Sequence, residues 1–221
     1  MVEKSIIDNT NRTLQEALTN ASTFADRIDI AVGYFYFSGF QALVKELKGK
    51  KIRILVGLEV DPKLVPHISQ YAKEGDEDLT RYQPRRQTTS RTALKQNYID
   101  SLVGFMNDSD VFDSEASIDA YDIYREKIEN GTLEIKKTLK DYHGKFYLLH
   151  NKPEQSQEGD YPGTVFMGSS NFTYRGLVGQ GELNDSSRER QKFSEYQGLF
   201  EDLWSDSKSL TIVDKHTKKI F

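Results

Sequence analysis

The 221-residue chain contains no cysteine. That excludes a disulfide framework, a thiolate metal site and a cysteine nucleophile, and makes a reducing cytoplasm the simplest compartment. No apolar run reaches the roughly 18–20 residues a membrane helix needs, so no membrane partner is expected. The opening residues, MVEKSIIDNTNR, hold no apolar stretch of the signal-peptide type, which argues against secretion. The chain has no G-x-x-x-x-G-K-[ST] loop and no G-x-G-x-x-G, which leaves a nucleotide-binding site without support. It has no internal repeat and no linker rich in Pro, Gly and Ser, so residues 1–221 read as one domain.

What is present fits a folded protein. Hydrophobic residues make up 37% and charged residues 29%, and 12 Tyr and 12 Phe supply a core. Lys and Arg number 30 against 34 Asp and Glu, a net charge of −4. A wholly basic nucleic-acid coat is thereby excluded, but a local basic face is not. Residues 81–95 carry Arg81, Arg85, Arg86, Arg91 and Lys95 and no acid, whereas residues 107–122 carry six acids and no cation. Such alternation is either ordinary solvated surface or a phosphate-facing patch beside an acidic flank.

Asn9 or Thr10 is placed to cap a helix starting near Arg12, with Leu14, Ala17, Leu18, Ala21 and Phe24 at helical spacing. Residues 28–38, IDIAVGYFYFS, read as a strand. A helix over FQALVKELKGK follows, then a second apolar strand, KIRILVGLEV, over residues 51–60. Strand, helix, strand in so short a span predicts a parallel βαβ unit and an α/β fold. From residue 62 to 130 the pattern is helical and polar. It predicts helices around Leu64–Tyr71, over 90–106 and over about 115–129, the last stopped by Asn130-Gly131. This stretch reads as a helical insertion. Strand character returns at 133–140, 142–151 and 163–171, with a polar loop between the last two. The last strong helix is ERQKFSEYQGLFEDLW, with Phe193, Tyr196, Leu199, Phe200 and Leu203 on its apolar face.

The chemistry-bearing residues fall in two neighbouring strands. His143-Gly144-Lys145 lies on the first, where alternation would project His143 and Lys145 side by side and leave Gly144 clear on the other face. The second strand runs into Gly168-Ser169-Ser170-Asn171, and Glu182 follows eleven residues beyond Asn171. An imidazole can serve as nucleophile or general acid. Lys and Asn can bond non-bridging phosphate oxygens. A carboxylate can hold an imidazole in one tautomer. Each element alone is common; the ordered set carries the information.

That set resembles the phospholipase D superfamily, whose motif is His-x-Lys-x4-Asp followed by Gly-Ser-x-Asn. The resemblance implies a mixed β-sheet flanked by helices on both faces, with the helical insertion around 62–130. It carries the catalytic His, Lys and Asn onto His143, Lys145 and Asn171. The spacing to Glu182 resembles that of the superfamily's metal-independent nucleases, which implies chemistry without a metal or other cofactor. The stretch from IIDNTNRTLQEAL to KIRILVGLEVD is similar to the phospholipase D-like domain at the front of some bacterial SNF2-type helicases, which implies a helicase module C-terminal to this unit. The segment VDKHTKKIF reads as a place where a longer chain continues. Two departures stand out: His150 occupies the position of the motif Asp, and the interval between the half-motifs is lengthened by the loop at 152–163.

The superfamily builds one active site from two His-Lys-Asn sets, and this chain has one. The resemblance therefore implies a homodimer that completes the site. The implied reaction is hydrolysis of a phosphodiester, with His143 forming a phosphohistidine and its counterpart protonating the leaving oxygen. Ser169 and Ser170 are candidate hydroxyl donors to the substrate, and Arg81, Arg85, Arg86 and Arg91 are candidates for tracking a DNA backbone. The expected function is thus a nuclease. The competing readings are a non-catalytic DNA-binding domain of a helicase or restriction system, a phospholipid-cleaving enzyme, and a structural scaffold.

Overall fold

The computed structural model describes residues 5–60, 115–153, 161–179 and 181–213. The expected helices at 64–71 and 90–106, and the arginines Arg81, Arg85, Arg86 and Arg91, lie outside the described residues.

One seven-stranded sheet organises the described chain. Its strands are β1 (Ala25–Phe35), β2 (Lys51–Val60), β3 (Leu133–Thr138), β4 (Phe146–Asn151), β5 (Gly163–Gly168), β6 (Asn184–Ser187) and β7 (Ser209–Val213), in the order β6-β5-β4-β1-β2-β3-β7. The pairs β1/β2 and β2/β3 are parallel. All the flanking pairs are antiparallel. The helices are α1 (Leu14–Ser22), α2 (Phe37–Ala42), α3 (Val44–Leu47), α4 (Glu115–Glu129), α5 (Tyr174–Val178) and α6 (Arg190–Trp204).

The parallel βαβ unit, the strand over 51–60 and the helix over 115–129 stand where the sequence put them. Alternation along β1 explains the layering. Ile28, Ile30 and Val32 pack in one cluster with Leu14, Leu18, Phe40, Leu47, Tyr124 and Ile128, so α1 to α4 cover that face. Ala31, Leu55, Phe146, Leu148 and Val165 face the other way and meet Phe193 and Phe200 of α6. The fold is therefore α/β, a mixed sheet with helices on both faces.

Several boundaries move. The cap of α1 is Thr13, in a reciprocal capping box with Glu16. Asn9, at φ 57°, also serves the helix start, its Oδ1 accepting from the Leu14 N–H at 2.8 Å, while its Nδ2 ties the N-terminal segment to α5 by donating to the carbonyls of Gly176 and Gly179. Phe24 falls beyond the end of α1 and is exposed, because β1 starts at Ala25. The helix expected over 40–50 is two short pieces broken at Leu43. Leu199 is on the exposed side of α6, and Phe193 and Phe200 bear its packing. Strands β6 and β7 close the two edges of the sheet without having been expected. Ser5 and Ile7 pair with β6 and partly cover that edge. Among the described residues no helix is long and apolar enough to cross a membrane.

Candidate functional site at the carboxyl end of the parallel strands

The sequence candidates among the described residues gather at one end of the sheet. The C-terminal ends of β1 and β5 and the N-terminal ends of β4 and β6 all open there, as the strand directions require. Ligands of open α/β sheets bind outside the carboxyl ends of parallel strands.

The His-x-Lys segment does not lie in a strand. β4 begins at Phe146, and residues 141–145 form an irregular arch ahead of it. The arch is held by Tyr142, whose N–H donates to the Gly57 carbonyl at 3.3 Å. Gly57 must lack a side chain: a Cβ there would stand 1.7 Å from the Tyr142 carbonyl oxygen. The space beside Gly144 is likewise filled by the Tyr142 ring, 2.5 Å from where a Cβ would sit, so it is not a clear face. The two side chains consequently differ. His143 is exposed, whereas Lys145 is 8% exposed and its Nζ turns back to donate to the His143 carbonyl at 2.6 Å. Burial lowers the Lys145 ammonium from its usual range, and the negative charge of Glu182 opposes that fall. The arch is docked on β5 by the Gly168 N–H, which donates to the Lys145 carbonyl at 3.2 Å.

Asn171 is oriented by the end of β1. Its Oδ1 accepts from the Tyr34 N–H at 2.9 Å, which fixes the amide so that Nδ2 is left, among the described residues, as the unengaged end. The same Tyr34 sets its ring edge-on to His143, with centroids 6.5 Å apart and planes at 87°. Tyr34 thus joins His143 to Asn171, a link the sequence reading missed. The available signal was its place at the end of the apolar run of β1.

Glu182 takes a different partner from the one expected. Its carboxylate accepts from the Ser169 hydroxyl, and among the described residues no hydrogen bond joins it to His143. The reason is local: Ser169 and Leu183 are clamped together, the Ser169 N–H to the Leu183 carbonyl at 3.0 Å and the Leu183 N–H to Ser169 Oγ at 2.9 Å. Glu182 is therefore held over Ser169 and close to Lys145. Ser169 is exposed and within this group. Ser170 is fully buried, its hydroxyl accepting from Asn184 Nδ2 at 2.8 Å and its carbonyl accepting from the Tyr147 hydroxyl at 3.1 Å. It supports the turn and presents no hydroxyl to a substrate. Asn184 and Tyr147 are two further supports that the sequence did not reveal.

His150 is remote from this group. It lies near the other end of β4, on the α6 face, where Nε2 bonds Asp29 at 2.7 Å. Asp29 is fully buried and also receives Arg53 in a fork, Nε and Nη2 each at 2.7 Å. Arg53 continues to Glu201 at 2.6 Å and stacks over Phe200. Here the acid stands on β1 and the imidazole on β4, so His150 belongs to an ion cluster beneath α6. Among the described residues no group of three or more His, Asp or Glu side chains could hold a metal ion.

A sheet of this order, with a His-x-Lys arch and a Gly-Ser-x-Asn turn meeting at its carboxyl end, is a phospholipase D-like domain. The chain matches the sequence family described as cardiolipin synthase, PLD-like domain, over residues 14–204, and it belongs to that family. Among solved structures it is similar to Nuc from Salmonella typhimurium, a phospholipase D family member, at 14% identity and TM-score 0.42, with 88% of each chain covered. It is also similar to NucT from Helicobacter pylori, at 9% identity and TM-score 0.43, with 90% of each covered. A third is TrmBL2, an archaeal chromatin protein with a novel mode of DNA binding, at 12% identity and TM-score 0.40, covering 95% of this chain and 55% of that one. No curated protein matches the sequence at a significant level.

Proposed function

We propose that the protein is a phosphodiesterase acting on nucleic acid, DNA in the first place, without a metal ion, as a homodimer. The observation that carries this reading is the meeting of His143, Lys145 and Asn171 at one end of the sheet, with the Asn171 amide turned by Tyr34 so that its Nδ2 is free to donate. In the reaction a His143 imidazole nitrogen attacks phosphorus, and the bond to the leaving oxygen breaks. His143 of a second copy gives that oxygen its proton. Water, deprotonated by the same second imidazole, then attacks the phosphohistidine and releases the phosphate. Lys145 and Asn171 Nδ2 bind the non-bridging oxygens, on which negative charge grows. Glu182 and Ser169 sit beside Lys145 and keep a carboxylate near its ammonium. A link to a C-terminal helicase rests on the N-terminal resemblance and belongs to the same proposal.

The deciding experiment is cleavage of plasmid and single-stranded DNA in EDTA by wild type and His143→Ala. Cleavage that persists in EDTA and is lost in the variant is the expected result. Cleavage by both alike, or cleavage abolished by EDTA, overturns the reading. A second reading, a non-catalytic DNA-binding module, is favoured by His150 at the motif Asp position. Salt-dependent DNA binding with no cleavage by either protein would select it.

A further inference from the structure

Resting on that reading, we infer that Tyr34 is a specificity residue: its ring is the platform on which a nucleobase next to the scissile phosphate stacks. Three observations converge on it. First, Tyr34 is turned by an irregularity in β1. Val32 and Phe35 are three residues apart, yet both pack in the same cluster, so the alternation slips once between them. The register to β2 shifts at the same place, between Val32 and Tyr34. Irregularities of this kind recur beside active sites, where they re-aim a side chain. Second, the ring stands edge-on to the His143 imidazole, with 6.5 Å between centroids and planes at 87°, so the aromatic surface borders the nucleophile. Third, Tyr34 is only half-buried, although its neighbours Gly33 and Phe35 are buried, and among the described residues its hydroxyl has no hydrogen-bond partner. A tyrosine kept for the core would be enclosed or would spend its hydroxyl on a partner. This one leaves aromatic surface at the mouth of a phosphate site.

A flat aromatic surface accepts any base through its π face, so the platform favours nucleic acid without choosing a sequence. It also adds a feature to the site that a phosphate alone does not need. Phosphate recognition by Lys145 and Asn171 would treat a base-bearing and a base-free strand alike; Tyr34 would not.

The test compares a thymidine oligonucleotide with an abasic strand of the same length and charge, using full-length wild type, Tyr34→Phe and Tyr34→Leu. All three keep the backbone N–H that holds Asn171. Wild type and Tyr34→Phe should prefer the base-bearing strand in kcat/KM by about tenfold or more, and Tyr34→Leu should bring the ratio near unity. Loss of the ratio with the ring gone but kept with phenylalanine is the signature of stacking; a role only in packing His143 would lower both substrates together. Equal wild-type rates on the two strands, or a ratio unchanged in Tyr34→Leu, overturn the inference. The same ratio is read in binding by fluorescence anisotropy. If no protein cleaves either strand, the nuclease reading fails, while the binding ratio still decides for or against the platform.

Discussion

Asn171 shows how one backbone contact makes a side chain useful. Its amide has an accepting end and a donating end, and the Tyr34 N–H takes the first at 2.9 Å. Replacing Asn171 with Asp keeps an oxygen for that contact and exchanges the outward donor for a second oxygen. The fold should survive, with an unfolding free energy within about 0.5 kcal/mol of wild type. The rate of phosphodiester cleavage should fall about 10²–10³-fold, the loss expected when one donor to a developing charge is removed. Chemical unfolding and steady-state kinetics on the same preparation check both halves, and an active Asn171→Asp would remove Asn171 from the mechanism. Gly57 makes the opposite case, a residue that acts by having no side chain. It accepts the Tyr142 N–H and also Lys137 Nζ and the Thr138 hydroxyl, each of these two at 3.2 Å, and its missing Cβ leaves room for the Tyr142 carbonyl. Because the obstacle is backbone, a methyl group there must push the arch away. Gly57→Ala should cost about 1–3 kcal/mol of stability and should displace His143 by moving its arch. A mutant that unfolds at the wild-type denaturant midpoint would show that the arch is not pinned at Gly57.

The joint between the sheet and α6 is set by charge as well as by Phe193 and Phe200. Burial by itself would raise the Asp29 carboxyl. The hydrogen bonds from Arg53 and His150, with their charges, outweigh it and hold the group below its ordinary value of 3.8. A carboxyl depressed by folding contributes stability that is present above the unfolded value and is lost as the pH falls through the folded one. Asp29→Asn should therefore cost about 3 kcal/mol at pH 7, since it leaves Arg53, and Arg27 whose Nη2 lies 3.3 Å from the carboxylate, without their buried counter-charge. The difference from wild type should narrow below about pH 4. Urea titrations at pH 7 and pH 3 measure it; a gap that widens in acid would contradict the sign. None of this was legible in the chain, because residues 27, 29, 53, 150 and 201 meet only once four elements are assembled. The strands β1, β2, β4 and β5 were legible because long β-branched and aromatic runs can fill both faces of a central sheet. NDSS of β6 was not, since its residues do not prefer a strand and its partners confer the structure, and SLTIV of β7, though rich in β-branched residues, is only five residues long at an edge, too short a run to stand out. His143, Lys145 and Asn171 were legible as residue types at a spacing. Their conformations were not: the arch, the inward turn of Lys145 and the capture of Glu182 by Ser169 depend on Gly57, Tyr142 and Leu183, which carry no chemical signature of their own.

At the scale of the whole molecule the proposed reaction asks for two imidazoles at one phosphorus, one to attack and one to transfer protons. The chain has 4 histidines. His150 is committed to Asp29 at the far end of β4, and His67 and His216 lie outside the described residues. A second His143, from a second copy of the chain, meets the requirement with no further residue type. In a two-fold dimer that shares one site, each active assembly contains two intact subunits. Wild type co-refolded with His143→Ala at a fixed total concentration should then lose activity as the square of the wild-type fraction, leaving about a quarter at equal mixing. Independent sites would leave about half. Dilution adds a second axis: specific activity of the wild type should fall as the dimer dissociates, in step with the change in mass seen by sedimentation. A linear mixing curve with a strictly monomeric active species would require a proton donor from within the same chain, and the shared site would have to be abandoned.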